Sequence, residues 1–211
     1  MEIIFLKEVD STHSYLKKYI KDNGYKNPIS IVTTNQTNGI GSRDNSWFGE
    51  DGNLYFSFVI SKNLLPKDLP IQSASIYFSF ILKEILSELD SAVWLKWPND
   101  FYISNNKVGG TITNYKNDLL YCGIGLNLSI NSAMFNSLDI KINYNDLLNQ
   151  YFKKLEEQLK WKDVFSKYLI EFKKSRQFKT TINNKKLSLE NATLNLDGSI
   201  LIDNKKVYSL R

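Results

Sequence analysis

The sequence predicts an α+β fold in which a largely antiparallel sheet is flanked by helices and followed by a small all-β module. Three observations support this prediction. Apolar residues recur at helical spacing over residues 70–90, and strand-like segments joined by tight turns follow over residues 92–130. From about residue 176, short apolar runs alternate with turns rich in Asn, Asp and Gly.

The first sixty residues contain one predicted helix and two predicted strands. The segment "DSTHSYLKKYIKDNG" is typical of a helix, because Asp10 or Ser11 can cap its start and Gly24 follows its end. The segments "PISIVTTNQ" and "NLYFSFVIS" are typical of strands. Between them, "TNGIGSRDNSWFGEDG" is predicted to be a long glycine-containing loop, and such loops in compact domains are usually functional.

The remaining segments predict two domains. The strands "AVWLKW", "DFYIS", "KVGGTITNY" and "LLYCGIGLNLSI" should pair antiparallel in sequence order, because the turns between them are short. Two helices are predicted over residues 144–159 and 161–175. In the tail, Asp-Gly between apolar runs predicts a hairpin and an SH3-like β-barrel. We therefore expect a larger domain at residues 1–175 and a barrel at residues 176–211.

The composition restricts the chemistry. The 211 residues contain one cysteine, Cys122, and one histidine, His13, which excludes an intrachain disulfide, a multi-cysteine zinc site and a His-rich metal site. A Ser-His-Asp triad would depend on that single histidine. The formal charge of +5 permits binding to nucleic acid or a membrane surface without requiring it, because the lysines are scattered along the chain.

Neither a membrane helix nor a signal peptide is predicted. No apolar run approaches the roughly 18 residues that a spanning helix needs. The start, "MEIIFLKEVDSTH", has only a brief apolar stretch and soon turns acidic. We therefore expect a cytoplasmic protein that does not bind a membrane.

The segment "KWPNDFYISNNKVGG" brings charged and polar residues to the ends of two predicted strands. Pro98 cannot donate a hydrogen bond within a sheet, so the first strand should end there and present Asn99 and Asp100 to a ligand. The alternative is an ordinary Asn-Asp turn. Lys107 begins the next strand, where the two following glycines indicate either close approach of a ligand or a bulge beside a surface lysine.

Two more glycine-bearing segments complete a candidate pocket. In "QTNGIGSRDNSW", backbone N–H groups can line an anionic ligand and Arg43 can bind phosphate or carboxylate oxygens. The segment lacks the third glycine of the dinucleotide-binding fingerprint. In "CGIGLN", glycines interrupt an apolar strand ahead of Asn127, while Cys122 is expected to be a small buried residue. His13 is expected to be a capping or surface group.

In their order and spacing, the segments "DSTH", "QTNGIGSRDNSW", "GNLYFS", "KWPND" and "GIGLN" resemble the biotin protein ligases. The ending "DGSILID" is similar to the C-terminal barrel of that family. The resemblance implies a class II synthetase-like mixed or antiparallel sheet, with the biotin and ATP sites in residues 1–175. It also implies an ATP-dependent ligase that makes biotinyl-5′-AMP and transfers biotin to a lysine of a biotin carboxyl carrier protein, an acetyl-CoA carboxylase subunit.

The resemblance further implies roles for individual residues. Lys107 and Arg43 would hold the biotin carboxylate and the α-phosphate, and Asp100 would orient the carrier lysine or accept its proton. The residues implied to bind biotin are Ser11, Thr12, Gln36, Gly39, Trp47, Lys107, Gly110, Gly123 and Gly125, with Tyr55 beside the pocket. Those implied to bind ATP or the adenylate are Arg43, Trp47, Asn99, Asp100, Lys107 and Asn127, with Mg²⁺ near Asn127 and the triphosphate.

The chain departs from the family pattern in two places. The usual loop is Gly-Arg-Gly-Arg-Arg-Gly, whereas here Ile40 and Ser42 replace two arginines and Asp44 replaces the last glycine. His13 stands where the family usually has Asn. The loop substitutions are expected to affect how the loop closes over the pocket and how well it retains the adenylate. Because the first motif begins at Asp10, we expect no N-terminal DNA-binding domain and no DNA binding, while no residue decides whether the protein is a homodimer.

Three other functions remain open from the sequence. A lipoate or octanoate ligase or transferase has the same fold and modifies similar carrier domains. A non-catalytic biotin-binding module would keep the pocket without turnover. A nucleic-acid-binding protein would use the C-terminal barrel, where Phe178 and Tyr208 are the only aromatic residues near the lysines.

Overall fold

The computed structural model describes residues 1–41, 46–47, 52–128, 136–182 and 185–208. In chain order, the strands ahead of the C-terminal module are β1 (Glu2–Phe5), β2 (Ile29–Thr33), β3 (Gly39–Ile40), β4 (Ser46–Trp47), β5 (Leu54–Ser61), β6 (Trp94–Lys96), β7 (Asp100–Ile103), β8 (Asn106–Lys116) and β9 (Leu119–Leu126). The helices are α1 (Thr12–Asn23), α2 (Ala74–Glu88), α3 (Tyr144–Glu156) and α4 (Trp161–Ser175).

The main sheet has seven described strands in the order β1-β2-β5-β9-β8-β7-β6. Strand β1 pairs parallel with β2, and every other neighbouring pair is antiparallel. The parallel pair follows from the connection through α1, since parallel strands need a crossover segment of helical length. The α+β prediction is confirmed, although the short edge strand β1 was not foreseen.

The helices cover the two faces of the sheet unequally. On one face, α2 and α3 bury the main aromatic core, in which Phe56 and Phe58 contact Tyr151 and Phe152 edge to face. On the other face, among the helices that the structure describes, α1 packs through Leu16 and Ile20 and their neighbours. The pocket described below lies on this second face, beyond the residues that α1 covers. No helix in the described ranges is both long and apolar enough to cross a membrane.

Two helix boundaries and one loop illustrate where the structure differs from the sequence-based prediction. Helix α2 begins at Ala74, because residues 71–73 form a 3₁₀ turn instead of its first α-helical turn. Helix α3 ends at Glu156 rather than near residue 159. The predicted loop after β2 contains a short antiparallel pair, β3 with β4, in which Gly39 lies opposite Trp47.

Helix α4 covers the edge strand β6. The N–H of Leu95 donates to Oε2 of Glu171 at 3.0 Å, and the N–H of Trp97 donates to Oγ of Ser175 at 2.9 Å. These side chains satisfy backbone donors that an uncovered edge would expose. They also fix the start of the turn between β6 and β7, which carries Asn99 and Asp100.

The C-terminal module contains five described strands in two small sheets. Strands β10 (Lys179–Ile182) and β11 (Lys185–Ser188) form one, and β12 (Thr193–Leu194), β13 (Ile200–Ile202) and β14 (Lys205–Val207) form the other. The predicted hairpin turn is present at Gly198, whose φ is 76°. The indole N–H of Trp97 donates to the carbonyl of Gly198 at 3.1 Å, which docks the hairpin beneath the β6–β7 turn. The domain division after residue 175 stays a prediction.

Candidate functional site

A pocket lies on the α1 face of the sheet, where small residues leave a recess. Along β5 and β9, alternate residues face α1, and Val59 and Tyr121 pack against it. Further along the strands, one cross-strand row consists of Ser57, Gly123 and Ile112. The next row consists of Tyr55, Gly125, Gly110 and Asp100. Three glycines and a serine in these rows create a cavity of about 490 Å³, including its open mouth.

The inner wall of the pocket carries a hydrogen-bonded set of neutral polar groups. Both the N–H and the Oγ1 of Thr12 donate to Oε1 of Gln36, at 2.8 and 3.0 Å. Because the single hydroxyl proton of Thr12 is used in that bond, Ser57 Oγ donates to Thr12 Oγ1 at 2.8 Å. Ser11 caps α1 by accepting from the N–H of Ser14. These groups hold one another in fixed orientations beside the recess.

His13 also lines the pocket, and its predicted position as a capping or surface group is wrong. His13 is only 4% exposed, and its Nε2 atom lies 2.7 Å from Oδ1 of Asn114. Burial, together with the positive charge of Lys17, lowers the pKa of His13 from 6.5 to about 4. The imidazole is therefore neutral at neutral pH.

Lys107 and Asp100 form the charged part of the pocket. Nζ of Lys107 lies 2.7 Å from Oδ1 of Asp100 and 5.2 Å from the centre of the Trp47 ring. Lys96 approaches the other oxygen of Asp100 at 3.8 Å. A methyl group on Gly110 would lie 3.2 Å from Oδ1 of Asp100, so the glycine lets the lysine and the carboxylate meet over the strand. Lys107 stays 40% exposed and can exchange partners with an incoming anion.

Strand β8 contains a bulge, and glycines on β8 and β9 allow close contacts in the pocket wall. The β7–β8 pairing shifts by one residue between Phe101 and Tyr102, which confirms the bulge that the sequence left open. A methyl group on Gly109 would lie 2.7 Å from the carbonyl oxygen of Gly125. A methyl group on Gly125 would in turn lie 3.1 Å from the Trp47 indole. These glycines thus allow close packing of the pocket wall itself.

The two asparagines implied to bind the nucleotide lie in different surroundings. Asn99 lines the pocket, and its amide donates to the carbonyl of Thr111, which anchors the β6–β7 turn on β8. Asn127 is 5% exposed, donates to the carbonyl of Asn136 at 3.0 Å, and is not among the described lining residues. Its observed contact holds the chain that follows β9, so a nucleotide or metal contact at Asn127 stays a prediction.

The described residues do not form a cage for a resident metal ion. They contain no group of three His, Cys, Asp or Glu side chains placed to hold one. Asp100 is the only carboxylate among the described lining residues, and Lys107 already pairs with it. Mg²⁺ is usually held by substrate phosphates with one or two carboxylates. The residues thus fit an ion that enters with ATP as part of the substrate.

Most residues implied by the sequence meet in this one pocket. The implied residues that line it are Ser11, Thr12, Gln36, Trp47, Tyr55, Asn99, Asp100, Lys107, Gly110, Gly123 and Gly125. Gly39 lies behind it, since a methyl group there would meet Trp47 and Gln36 at under 3 Å. Arg43, Ser42 and Asp44 lie outside the described residues. Cys122 is buried, as expected.

Ser57 and Ile112 are site residues that the sequence reasoning missed. Ser57 could have been found, because it is the polar interruption of "LYFSFV", at period two from Tyr55 and Val59. Ile112 carries no such signal in the sequence. Its place in the pocket follows from the register of β8 against Gly123.

Comparison with known proteins connects this geometry to a family. The model of the Biotin/lipoate A/B protein ligase family matches residues 5–131. A biotin acetyl coenzyme A carboxylase synthetase from Helicobacter pylori, solved with bound biotinylated ATP, is 40% identical with a TM-score of 0.94, covering 98% of this chain and 99% of that chain. A biotin protein ligase from Aquifex aeolicus, in complex with biotin and ATP, has a TM-score of 0.73 at 22% identity, covering 100% and 96%.

Curated relatives match over a shorter range. The bifunctional ligase/repressor BirA of Escherichia coli (strain K12) is 30% identical over 112 residues, which are 52% of this chain and 34% of the relative. The BirA of Salmonella typhimurium matches with the same identity and coverage. The match thus spans about a third of the length of these relatives.

Proposed function

Because the chain belongs to the Biotin/lipoate A/B protein ligase family, we propose that it is a biotin protein ligase. It activates biotin with ATP to biotinyl-5′-AMP and transfers the biotinyl group to a lysine of a biotin carboxyl carrier protein. The 40% identity over nearly the whole length of a structure with bound biotinylated ATP supports biotin and ATP as the substrates.

The observation that carries the proposal is the polarity of the pocket. A hydrogen-bonding wall formed by Thr12, Ser57 and Gln36 adjoins the same recess as the ammonium group of Lys107. Biotin has a ureido ring that needs hydrogen-bond partners and a valerate tail that ends in a carboxylate. The far end of a lipoyl or octanoyl tail carries no N–H or carbonyl group that could form hydrogen bonds with this wall.

The first half-reaction joins two anions, and the charges of the site lower its barrier. A carboxylate oxygen of biotin attacks the α-phosphorus of ATP, a new O–P bond forms, and the bond to the β-phosphate oxygen breaks to release pyrophosphate. Lys107 binds the reacting carboxylate and α-phosphate oxygens, where negative charge accumulates. Magnesium supplies further charge neutralisation on the phosphates when Mg-ATP is bound.

The second half-reaction is attack by the carrier lysine on the mixed anhydride. The neutral amine forms an amide bond with the biotinyl carbonyl carbon, and the bond to the AMP oxygen breaks. Asp100 is half-buried and adjoins Lys107, so it can orient the incoming amine or accept its proton as the amide forms. In the resting site, the 2.7 Å pair with Lys107 keeps this carboxylate in place.

Nucleotide binding involves residues other than Lys107 and Asp100. We propose that Trp47 and Asn99, which line the pocket, flank the adenylate, and that Arg43 contributes the loop's only arginine to its phosphate. We propose in addition that Asn127 lies near the Mg²⁺ that enters with the triphosphate. We also propose that the protein is cytoplasmic and does not bind DNA. A measurement of its molecular mass in solution decides whether it forms a homodimer.

Transfer to a carrier tests the proposed function. The protein is incubated with Mg-ATP, biotin and a biotin carboxyl carrier domain, and the carrier mass is measured. We expect the mass to rise by one biotinyl group, and to stay unchanged when the acceptor lysine of the carrier is replaced by arginine. An increase with lipoate or octanoate instead would assign the chain to the other branch of its family. Biotin binding without any mass increase would indicate a non-catalytic module.

A further inference from the structure

His13 has a buried hydrogen-bonding atom that the reaction described above does not use. Its Nδ1 atom is buried, and no described residue provides it with a hydrogen-bond partner. The ring lies in the pocket wall beside Gly123. Nearly all buried polar atoms in folded proteins are paired, so an unpaired one at a ligand site points to a partner that the ligand supplies.

The neighbours of His13 fix which ring nitrogen carries the proton. Nζ of Lys17 lies 2.9 Å from Oδ1 of Asn114, and an ammonium group can only donate. The Asn114 atom that faces both Lys17 and His13 is therefore the oxygen. Since that oxygen is an acceptor, Nε2 of His13 donates to it at 2.7 Å. Nδ1 is then a bare acceptor, and the lowered pKa of His13 keeps it so at neutral pH.

The approach to Nδ1 is kept clear by Gly123. A methyl group at Gly123 would lie 3.2 Å from Nδ1 of His13 and 3.1 Å from Oγ of Ser57. Any side chain at this position would thus occupy the space next to both polar atoms. Because residue 123 is glycine, the space beside this acceptor and this hydroxyl holds no side chain, within the wall of the pocket.

We propose that Nδ1 of His13 accepts a hydrogen bond from a ureido N–H of biotin and thereby helps select biotin over donor-free acyl tails. This inference rests on the proposed function. A ureido ring carries two N–H donors, whereas the distal ends of octanoate and lipoate carry none. A donor-free tail would leave Nδ1 unpaired in the pocket, and sites built to pair with a polar group reject analogues that lack it.

Nitrogen NMR of the single histidine tests the contact directly. Because His13 is the only histidine, protein labelled with ¹⁵N-histidine and purified without a His-tag gives one imidazole spin system. We expect Nε2 to be protonated and Nδ1 to resonate as a bare nitrogen in the free protein. Saturating biotin should shift Nδ1 toward the position of a hydrogen-bonded acceptor, and saturating octanoate should not. An Nδ1 resonance unchanged by bound biotin, or a protonated Nδ1, would overturn the inference.

Affinity measurements on variants provide an independent readout. Titration calorimetry should show biotin binding to His13→Leu that is roughly 10-fold or more weaker than to wild type. His13→Asn retains an acceptor and should lose less. Tyr15→Leu changes an exposed residue on the same helix and should bind as wild type. Equal biotin affinity of His13→Leu and wild type would refute the hydrogen bond to His13 but leave the proposed function intact. Absence of biotin binding by the wild-type protein would refute both.

Discussion

Replacement of Lys107 by alanine separates the chemical role of this residue from its structural one. Its Nζ contacts Asp100 at 2.7 Å, but the side chain is 40% exposed, and Lys96 remains 3.8 Å from the same carboxylate. Exposed ion pairs contribute about 0–1 kcal/mol to stability. For a chain of this size we therefore expect Tm to change by no more than roughly 4 °C.

The effect on catalysis should be much larger. Loss of a preorganised donor at the point where charge develops costs about 10²–10³-fold in rate. We expect Lys107→Ala to lower the rate of biotin-dependent pyrophosphate release by at least about 100-fold, measured with a coupled phosphate assay. Lys116→Ala, at the far exposed end of the same strand β8, is the matched control and should keep the wild-type rate. Pyrophosphate release at the wild-type rate from folded Lys107→Ala would refute the assignment.

Three further predictions concern the loop, the wall and the histidine. Arg43→Ala should raise the apparent biotin or ATP requirement or release adenylate into solution, and a variant that matched wild type in both respects would contradict its role. Gly125→Ala should weaken biotin binding by roughly 10-fold or more, because the new methyl would lie 3.1 Å from the Trp47 indole; unchanged calorimetric affinity would contradict this. Stability should fall as pH falls from 6.5 toward 4, because only the unfolded state protonates His13 in that window, by up to roughly 3 kcal/mol.

The pH prediction has its own control. The charged groups near His13 are Lys17 and, beyond it, Lys116. Lysine side chains ordinarily titrate at about 10.4, far above this pH window. In urea titrations, His13→Asn should therefore lack the part of the stability loss between pH 6.5 and 5 that wild type shows. Parallel curves for the two proteins over that window would show that His13 is not buried in its neutral form.

The elements that could be predicted from the sequence are those with strong local signals. Helix α1 has its cap at Ser11 and its terminating Gly24, and strands β8 and β9 are joined by a turn in which Asn117 and Asp118 adopt positive φ. Those signals depend on residues close in the chain. Strand β1 has four residues and an exposed edge, so its pairing with β2 depends on the α1 crossover, which is a tertiary feature.

The site residues that lie in sequence motifs could be predicted, whereas contacts that depend on strand register and helix docking could not. The pocket residues Thr12, Asp100 and Lys107 come from segments that resemble the family. The orientation of His13, by contrast, depends on Asn114, which is 101 residues away in sequence. No local pattern indicates that contact, because it arises when α1 docks against β8 and β9.

Pyrophosphate release from Mg-ATP, with biotin, lipoate or octanoate offered in parallel, decides which acid this protein activates. The proposed function assigns the hydrogen-bonding wall of the pocket to the ureido ring and the ammonium group of Lys107 to the reacting carboxylate. We expect release that depends on biotin and on neither of the other acids. Release with lipoate or octanoate, or none with biotin from a folded protein, would contradict it.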